Sequence, residues 1–242
     1  KLIIRSNTSP EGWSKNFIKK SFYKIGLKSA SKLIVNSIEF RKIINKKFDL
    51  KAKCIYNPLD KKEIIKLSKI KLKFDFFNKN YLNIVNIGRL ENQKDQITLL
   101  KAVNHIKDKI DFKLLIIGNG SMQYELESFI KTNRLEKNVK ILNNITNPYP
   151  YILKSDLFIL SSLYEGLPNV LLEALTLNKF IISTNCSTGP SEILINGKGG
   201  ILVPIKDHIY LGNKILYYNS NKKKLRKKIL IEKKKLSRFD MN

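Results

Sequence analysis

Residues 81–120 read YLNIVNIGRLENQKDQITLLKAVNHIKDKIDFKLLIIGNG. Two apolar runs, Leu82 to Ile87 and Phe112 to Ile117, flank a segment from Gln96 to Lys107 whose apolar residues recur at helical spacing. Short apolar runs that end at glycine read as buried strands, so the unit predicts a strand, a crossover helix and a parallel strand. The alternation continues. Further runs stand at Val139 to Leu142, Leu157 to Leu160, Phe180 to Ser183 and Gly200 to Val203. Helical segments lie between the runs: Met122 to Thr132, Pro148 to Lys154, Asn169 to Leu177 and Ser191 to Ile195. This pattern predicts an α/β fold, a Rossmann-like doubly wound domain whose ligand crevice lies at the carboxyl ends of its strands.

Upstream, Lys32 to Asn36 reads as a strand, Ile38 to Lys46 as a helix, and Cys54 to Tyr56 as a short strand halted by Asn57-Pro58. The expected organisation is part of a second Rossmann-like domain over 1–58, a linker over 59–80, the complete domain over 81–220 and a basic C-terminal helix over 221–242. The length of 242 residues suits one complete domain plus part of another.

With 43% hydrophobic residues the chain is too apolar to be disordered. Its apolar runs fall far short of the roughly 20 residues that span a bilayer. Cys54 and Cys186 stand apart with no ligand-rich neighbours, which predicts no metal cage, no disulfide and a reducing, cytoplasmic setting. The net charge of +26 raises the question of nucleic acid. Lys, Ile and Asn are abundant together along the whole chain, as an AT-rich coding sequence produces whatever the function, so no nucleic-acid partner is expected. Trp13 to Lys32 is a local exception. It mixes Trp13, Phe17, Phe22 and Tyr23 with Lys15, Lys19, Lys20 and Lys24, the composition of a helix lying on an anionic membrane surface. Lys222 to Lys235 reads as a solvated basic helix with Leu225, Ile229 and Leu236 on one face.

Three strand ends carry chemistry. After Ile87 come Gly88-Arg89-Leu90-Glu91-Asn92-Gln93-Lys94-Asp95, a tight turn followed by two cations beside a helix start. Arg89 and Lys94 there suit a diphosphate, since a guanidinium fork and an ammonium both strengthen as negative charge grows on a leaving phosphate; the plainer reading is two surface cations. After Ile117, Gly118-Asn119-Gly120 opens a helix whose first amides can face a phosphate, although Gln123 replaces the third glycine of a dinucleotide fingerprint, which argues against NAD. After Leu160 come Tyr164-Glu165-Gly166-Leu167-Pro168-Asn169 and a helix carrying Glu173 among Val170, Leu171, Leu172, Ala174 and Leu175. A carboxylate on so apolar a helix needs partners. The vicinal diol of a ribose supplies them, and Glu165 in the loop can address a sugar hydroxyl. A structural role for both glutamates is the alternative.

At these residues the chain resembles the group 1 (family 4) glycosyltransferases, retaining enzymes of the two-domain GT-B type. The resemblance rests on Glu165 and Glu173 around Gly166-Leu167-Pro168-Asn169, on Gly88-Arg89-Leu90 with Gln93-Lys94-Asp95, on Ile117 to Gly120, on Val139 to Leu142 and on Ile55-Tyr56-Asn57-Pro58. It implies that Arg89 and Lys94 bind the donor diphosphate and Glu173 the ribose. Glu165, with Gly166, Leu167, Pro168 and Asn169, would hold the transferred sugar; Gly118, Gly120 and Leu142 would line the phosphate and base end. A nucleotide-sugar donor, a glycan or lipid-linked acceptor, no metal and a peripheral place at the inner membrane face complete the implied picture. Asn144 stands where many members of the family have glycine, which leaves the base contacts open. The resemblance also implies that residues 1–58 are the end of an acceptor-side domain, and the chain is expected to be a fragment. A GT-B nucleotide-sugar epimerase and a non-enzymatic basic binder are the alternatives.

Overall fold

In the computed structural model, which describes residues 2–7, 17–233 and 235–240, the chain forms two parallel sheets. The first has the order β1-β2-β3, with β1 at Ile3–Ser6, β2 at Lys32–Val35 and β3 at Ala52–Cys54. Helices α1 (Phe17–Lys28) and α2 (Ile38–Phe48) connect these strands. Leu27, Leu33, Val35, Phe40, Ile44 and Ala52 form its core. The Ser37 hydroxyl starts α2 by accepting from the Phe40 amide at 3.1 Å, and Asp49 ends it in the left-handed region at φ 52°. β3 lies earlier than the expected Cys54 to Tyr56. Its partner β2 stops at Val35, which faces Cys54, so no ladder remains for Tyr56.

The second sheet contains β4 (Leu82–Ile87), β5 (Phe112–Ile117), β6 (Val139–Leu142), β7 (Leu157–Leu160), β8 (Phe180–Thr184) and β9 (Ile201–Val203). Its order, β6-β5-β4-β7-β8-β9, reverses direction between β4 and β7. Both faces are covered, which is why β7 is apolar without alternation and why β8, apolar up to Ser183 and Thr184, is buried throughout. Alternate residues serve opposite faces. Leu82, Ile84, Leu114, Ile116, Leu157 and Ile159 point to one core together with α4 (Gln96–Ile106), α5 (Gln123–Thr132) and α9 (His208–Lys233). Val85, Leu115, Ile117, Phe158, Leu160 and Ile181 point to the other, against α3 (Lys61–Ser68), α6 (Tyr149–Lys154), α7 (Asn169–Thr176) and α8 (Pro190–Ile193). Burying each such side chain contributes roughly 1.5–3 kcal/mol.

Two boundary regions gain packing that sequence does not reveal. Leu59 and Ile64 join the second core, and the Phe74 ring lies 5.0 Å from that of Tyr151, so 59–80 is packed against the sheet's helices. α9 runs past residue 220 through a kink at Asn221 (φ −124°, ψ 21°), and Leu225 and Ile229 are buried beyond it. A 3-10 turn at Leu236–Phe239 then returns to the link, where the Leu59 amide donates to the Phe239 carbonyl at 3.0 Å.

Candidate functional site

Where the strand order reverses, the loops leaving β4 and β7 meet, and a crevice at this point is the general ligand position of such sheets. The contacts are specific. The Leu163 amide donates to the Gln93 carbonyl at 2.8 Å, Gln93 Nε2 to the Tyr164 carbonyl at 2.9 Å, and the Ser161 hydroxyl to the Lys94 carbonyl at 2.8 Å. Lys94 reaches across over Gly88. A Cβ there would lie 3.4 Å from the Lys94 methylenes, so the lysine stem runs over bare backbone. Its ammonium then sits 2.6 Å from Glu165 Oε1.

Glu165 is only 6% exposed, and the Ser162 hydroxyl donates to the same oxygen at 2.6 Å. Ion and hydroxyl together supply the partners a buried carboxylate requires. Sequence reading assigned Lys94 and Glu165 to different ligand groups; the fold brings them into contact. Arg89, on the same loop, stays exposed and donates to Gln93 Oε1 at 3.1 Å.

Glu173 behaves differently. It is half-buried on α7 and has no hydrogen-bond or ion-pair partner among the described residues. Burial pushes its carboxyl up to about 7. The Tyr149 phenol is raised as well, first by its own burial and then by the Glu173 charge. A carboxyl left half-buried without a donor is chemically ready for a ligand's hydroxyls.

Gly118 and Gly120 have a structural reason of their own. Side chains there would place a Cβ 2.0 Å from the Gly88 carbonyl oxygen and 2.2 Å from that of Leu90, so these glycines let the β5 loop cross the β4 loop. The start of α5 already carries an anion. Glu91 accepts from the Ser121 amide at 3.2 Å and the Ser121 hydroxyl at 2.9 Å, and these bonds lower its pKa. Glu91 thus holds Ser121, the residue that follows the Gly118 to Gly120 turn.

Leu142 ends β6 half-buried, its carbonyl accepting from the Gly118 amide at 3.0 Å. Asn144 adopts φ 55°, a left-handed conformation that asparagine reaches nearly as readily as glycine, so its replacement of glycine preserves the turn.

The first sheet closes against the loop after β7. A Cβ on Gly166 would fall 2.0 Å from the Asn7 carbonyl oxygen and 2.8 Å from Asn36 Oδ1. Pro168, in extended conformation, precedes α7, and Leu167 is buried beside it. Asn169 Oδ1 accepts from Asn57 Nδ2 at 2.9 Å, and Arg5 Nη2 donates to Asn57 Oδ1 at 2.6 Å, so Asn169 and Arg5 are tied to the interdomain link. Sequence reasoning missed Ser162, Gln93 and Asn36. The paired serines after β7 were the available signal, since small hydroxyls at a buried strand end have few structural uses.

Residues 68–235 match the family model described as "Glycosyl transferases group 1". An uncharacterised glycosyltransferase of Methanocaldococcus jannaschii is 38% identical over 178 residues, 71% of this chain and 44% of the relative. An N-acetylgalactosaminyltransferase of Campylobacter jejuni, whose name gives a diphospho-undecaprenol-linked saccharide as acceptor, is 33% identical over 157 residues, 64% and 40% of the two chains. The chain thus spans less than half the length of these relatives. Among solved structures, HepE of Anabaena in complex with UDP and glucose superposes with a TM-score of 0.84 at 20% identity, covering 99% of this chain and 67% of that one. TarM superposes at 0.76 and 19% identity, over 95% and 47%. The two parallel sheets are those of a GT-B fold, and with most of its length inside the family model the chain belongs to the group 1 glycosyl transferases.

Proposed function

We propose that the protein transfers a sugar, with retention of anomeric configuration, from a nucleotide diphosphate sugar to a glycan or lipid-linked acceptor in cell-surface polysaccharide or glycolipid synthesis. The observation that carries this reading is the meeting of Lys94, Glu165 and Ser162 at the reversal of the sheet, with the unpartnered Glu173 on the helix that follows. Arg89 and Lys94 receive the diphosphate, and the ammonium passes from Glu165 toward the phosphate as charge builds on the leaving group. Glu173 accepts from the ribose hydroxyls. Glu165 and the Gly166 to Pro168 backbone hold the transferred sugar. Support for a uridine donor comes from HepE, which was solved with UDP and with UDP-glucose.

The reading includes no metal, because the sequence has no Asp-x-Asp pair at a strand end. It also places the protein against anionic lipid through α1. There Phe22 and Ile25 are 68% and 64% exposed beside the exposed Lys24 and Lys28, while Trp13 and Lys15 lie outside the described residues. No helix among the described residues is long and apolar enough to cross a membrane.

The test compares two variants of the full-length protein. Glu173→Ala removes a charged acceptor of ribose hydroxyls, so UDP binding weakens about 10- to 150-fold. Glu165→Gln touches a sugar that UDP lacks and frees Lys94 for the phosphate, so UDP binding is kept or tightened while turnover of the donor collapses. Unchanged UDP affinity in Glu173→Ala, or full turnover in Glu165→Gln, removes that residue from the site. Donor turnover without acceptor, yielding an epimerised nucleotide sugar, replaces transfer with epimerisation.

A further inference from the structure

The loop that carries Glu165 rests on the turn before α8. The Thr188 hydroxyl donates to the Glu165 carbonyl. A Cβ at Gly189 would lie 2.5 Å from the Gly166 carbonyl oxygen and 2.6 Å from Pro168 Cδ, so the two backbones are in direct contact. Gly189 itself holds φ 93°, ψ −63°, a conformation that other residues rarely adopt, and no local side chain caps the helix it precedes.

The cap comes from the other sheet. Glu39, in the first turn of α2, accepts from the Gly189 amide at 2.8 Å and from the Ser191 hydroxyl. The exchange is reciprocal. Glu192 of α8 accepts from the Ile38 and Glu39 amides at 3.1 and 3.0 Å, and the Tyr56 hydroxyl donates to it as well. Glu192 therefore satisfies two amides, and Glu39 one amide and a hydroxyl, at the start of the opposite helix, where the partial positive charge of a helix end favours an anion.

We infer that Glu39 is a positioning residue for the donor site. By holding Gly189 it fixes the Gly166 to Pro168 backbone, and with it Glu165, in the geometry that receives the transferred sugar. The sugar end of the site is complete only while the first sheet is docked, whereas Arg89, Lys94 and Glu173, the diphosphate and ribose contacts proposed above, belong to the second sheet. This role rests on the donor reading proposed above; the mechanical link from Glu39 to the loop does not.

Two variants of the full-length protein separate the two. Glu39→Ala removes both bonds, while Glu39→Gln keeps an oxygen for the Gly189 amide and offers its own amide group to the Ser191 oxygen. Hydrogen exchange is followed in peptides covering 161–176 and 186–194, with 82–117 as the reference. Glu39→Ala should speed exchange in the first two by roughly tenfold, the loss of a hydrogen bond to a charged group, and leave the reference unchanged; Glu39→Gln should stay within about threefold of the parent. Binding is measured with UDP beside UDP-glucose and with GDP beside GDP-mannose. In Glu39→Ala the preference for the sugar-bearing nucleotide should fall roughly tenfold at constant affinity for the bare diphosphate. Unchanged exchange at 161–176, or equal acceleration at 82–117, overturns the link. A loosened loop with an unchanged preference for the sugar nucleotide overturns the positioning role. If the parent binds none of the four nucleotides, the donor reading falls and the positioning role with it, while exchange still decides whether Glu39 holds the loop.

Discussion

Lys94→Met is the perturbation from which the site's energetics can be read most directly. Side chains of Lys94 and Glu165 are 15% and 8% exposed and 2.6 Å apart, so removing the ammonium strands a carboxylate in a region that water barely reaches. Losing one partner of a buried pair typically costs about 3–5 kcal/mol. The Ser162 hydroxyl, which still donates to the same oxygen at 2.6 Å, argues for the lower end, near 3 kcal/mol. For a chain of this size that is a fall of about 6–12 °C in Tm. The double variant Lys94→Met, Glu165→Gln leaves no charge behind, and the new amide can still accept from Ser162. It should lose only about 1 kcal/mol, so the coupling energy from the cycle is about 2 kcal/mol or more. Urea unfolding followed by far-UV circular dichroism measures all four proteins, with a constant m-value as the check that the unfolded state is unchanged. If the double variant is as unstable as the sum of the singles, the two side chains do not stabilise one another. The account of Glu165 as the partner that holds Lys94 in place then fails.

Glu173, with its carboxyl at about 7, binds a proton in the folded chain between its ordinary pKa of 4.5 and about 7 that the unfolded chain has released. Stability should therefore fall as pH rises through that window by at most about 3 kcal/mol, and Glu173→Gln should flatten the slope; parallel pH profiles of parent and variant would count against this. Gly120→Ala drives a Cβ to 2.2 Å from the Leu90 carbonyl oxygen, a backbone atom that cannot swing aside, and should cost about 3 kcal/mol in urea unfolding. Gly26→Ala, in α1 with nothing within 4 Å, should instead be neutral or gain up to about 1 kcal/mol; equal effects at the two sites would contradict the crossing of the loops. Transfer activity should survive excess chelator, and rescue of a chelated enzyme by manganese would refute metal independence. Flotation with anionic vesicles should be lost when Lys15, Lys19, Lys20 and Lys24 are replaced by Glu, and unchanged flotation would sink the membrane role of this segment.

Features that depend on neighbours along the chain are legible in the amino-acid sequence alone. Strands such as Leu114 to Ile117 are legible because a strand buried on both faces is mostly a continuous apolar run, and α7 because Gly166 and Pro168 punctuate its start. Glu173 could be picked out because a carboxylate amid leucines is costly wherever the helix packs, and Glu165 because it stands in the loop at a strand's carboxyl end. The partners of those glutamates were not legible. Lys94 and Glu165 stand 71 positions apart, and only the reversal between β4 and β7 sets their loops side by side. The packing reason for Gly120 is not legible either, because local sequence cannot show that the Leu90 backbone passes 2.2 Å from where a Cβ would stand. Glu39 carried no signal at all. Its bond to Gly189 spans 150 positions and two sheets, and a carboxylate in the first turn of a helix is ordinary until the second sheet supplies the amide it accepts from.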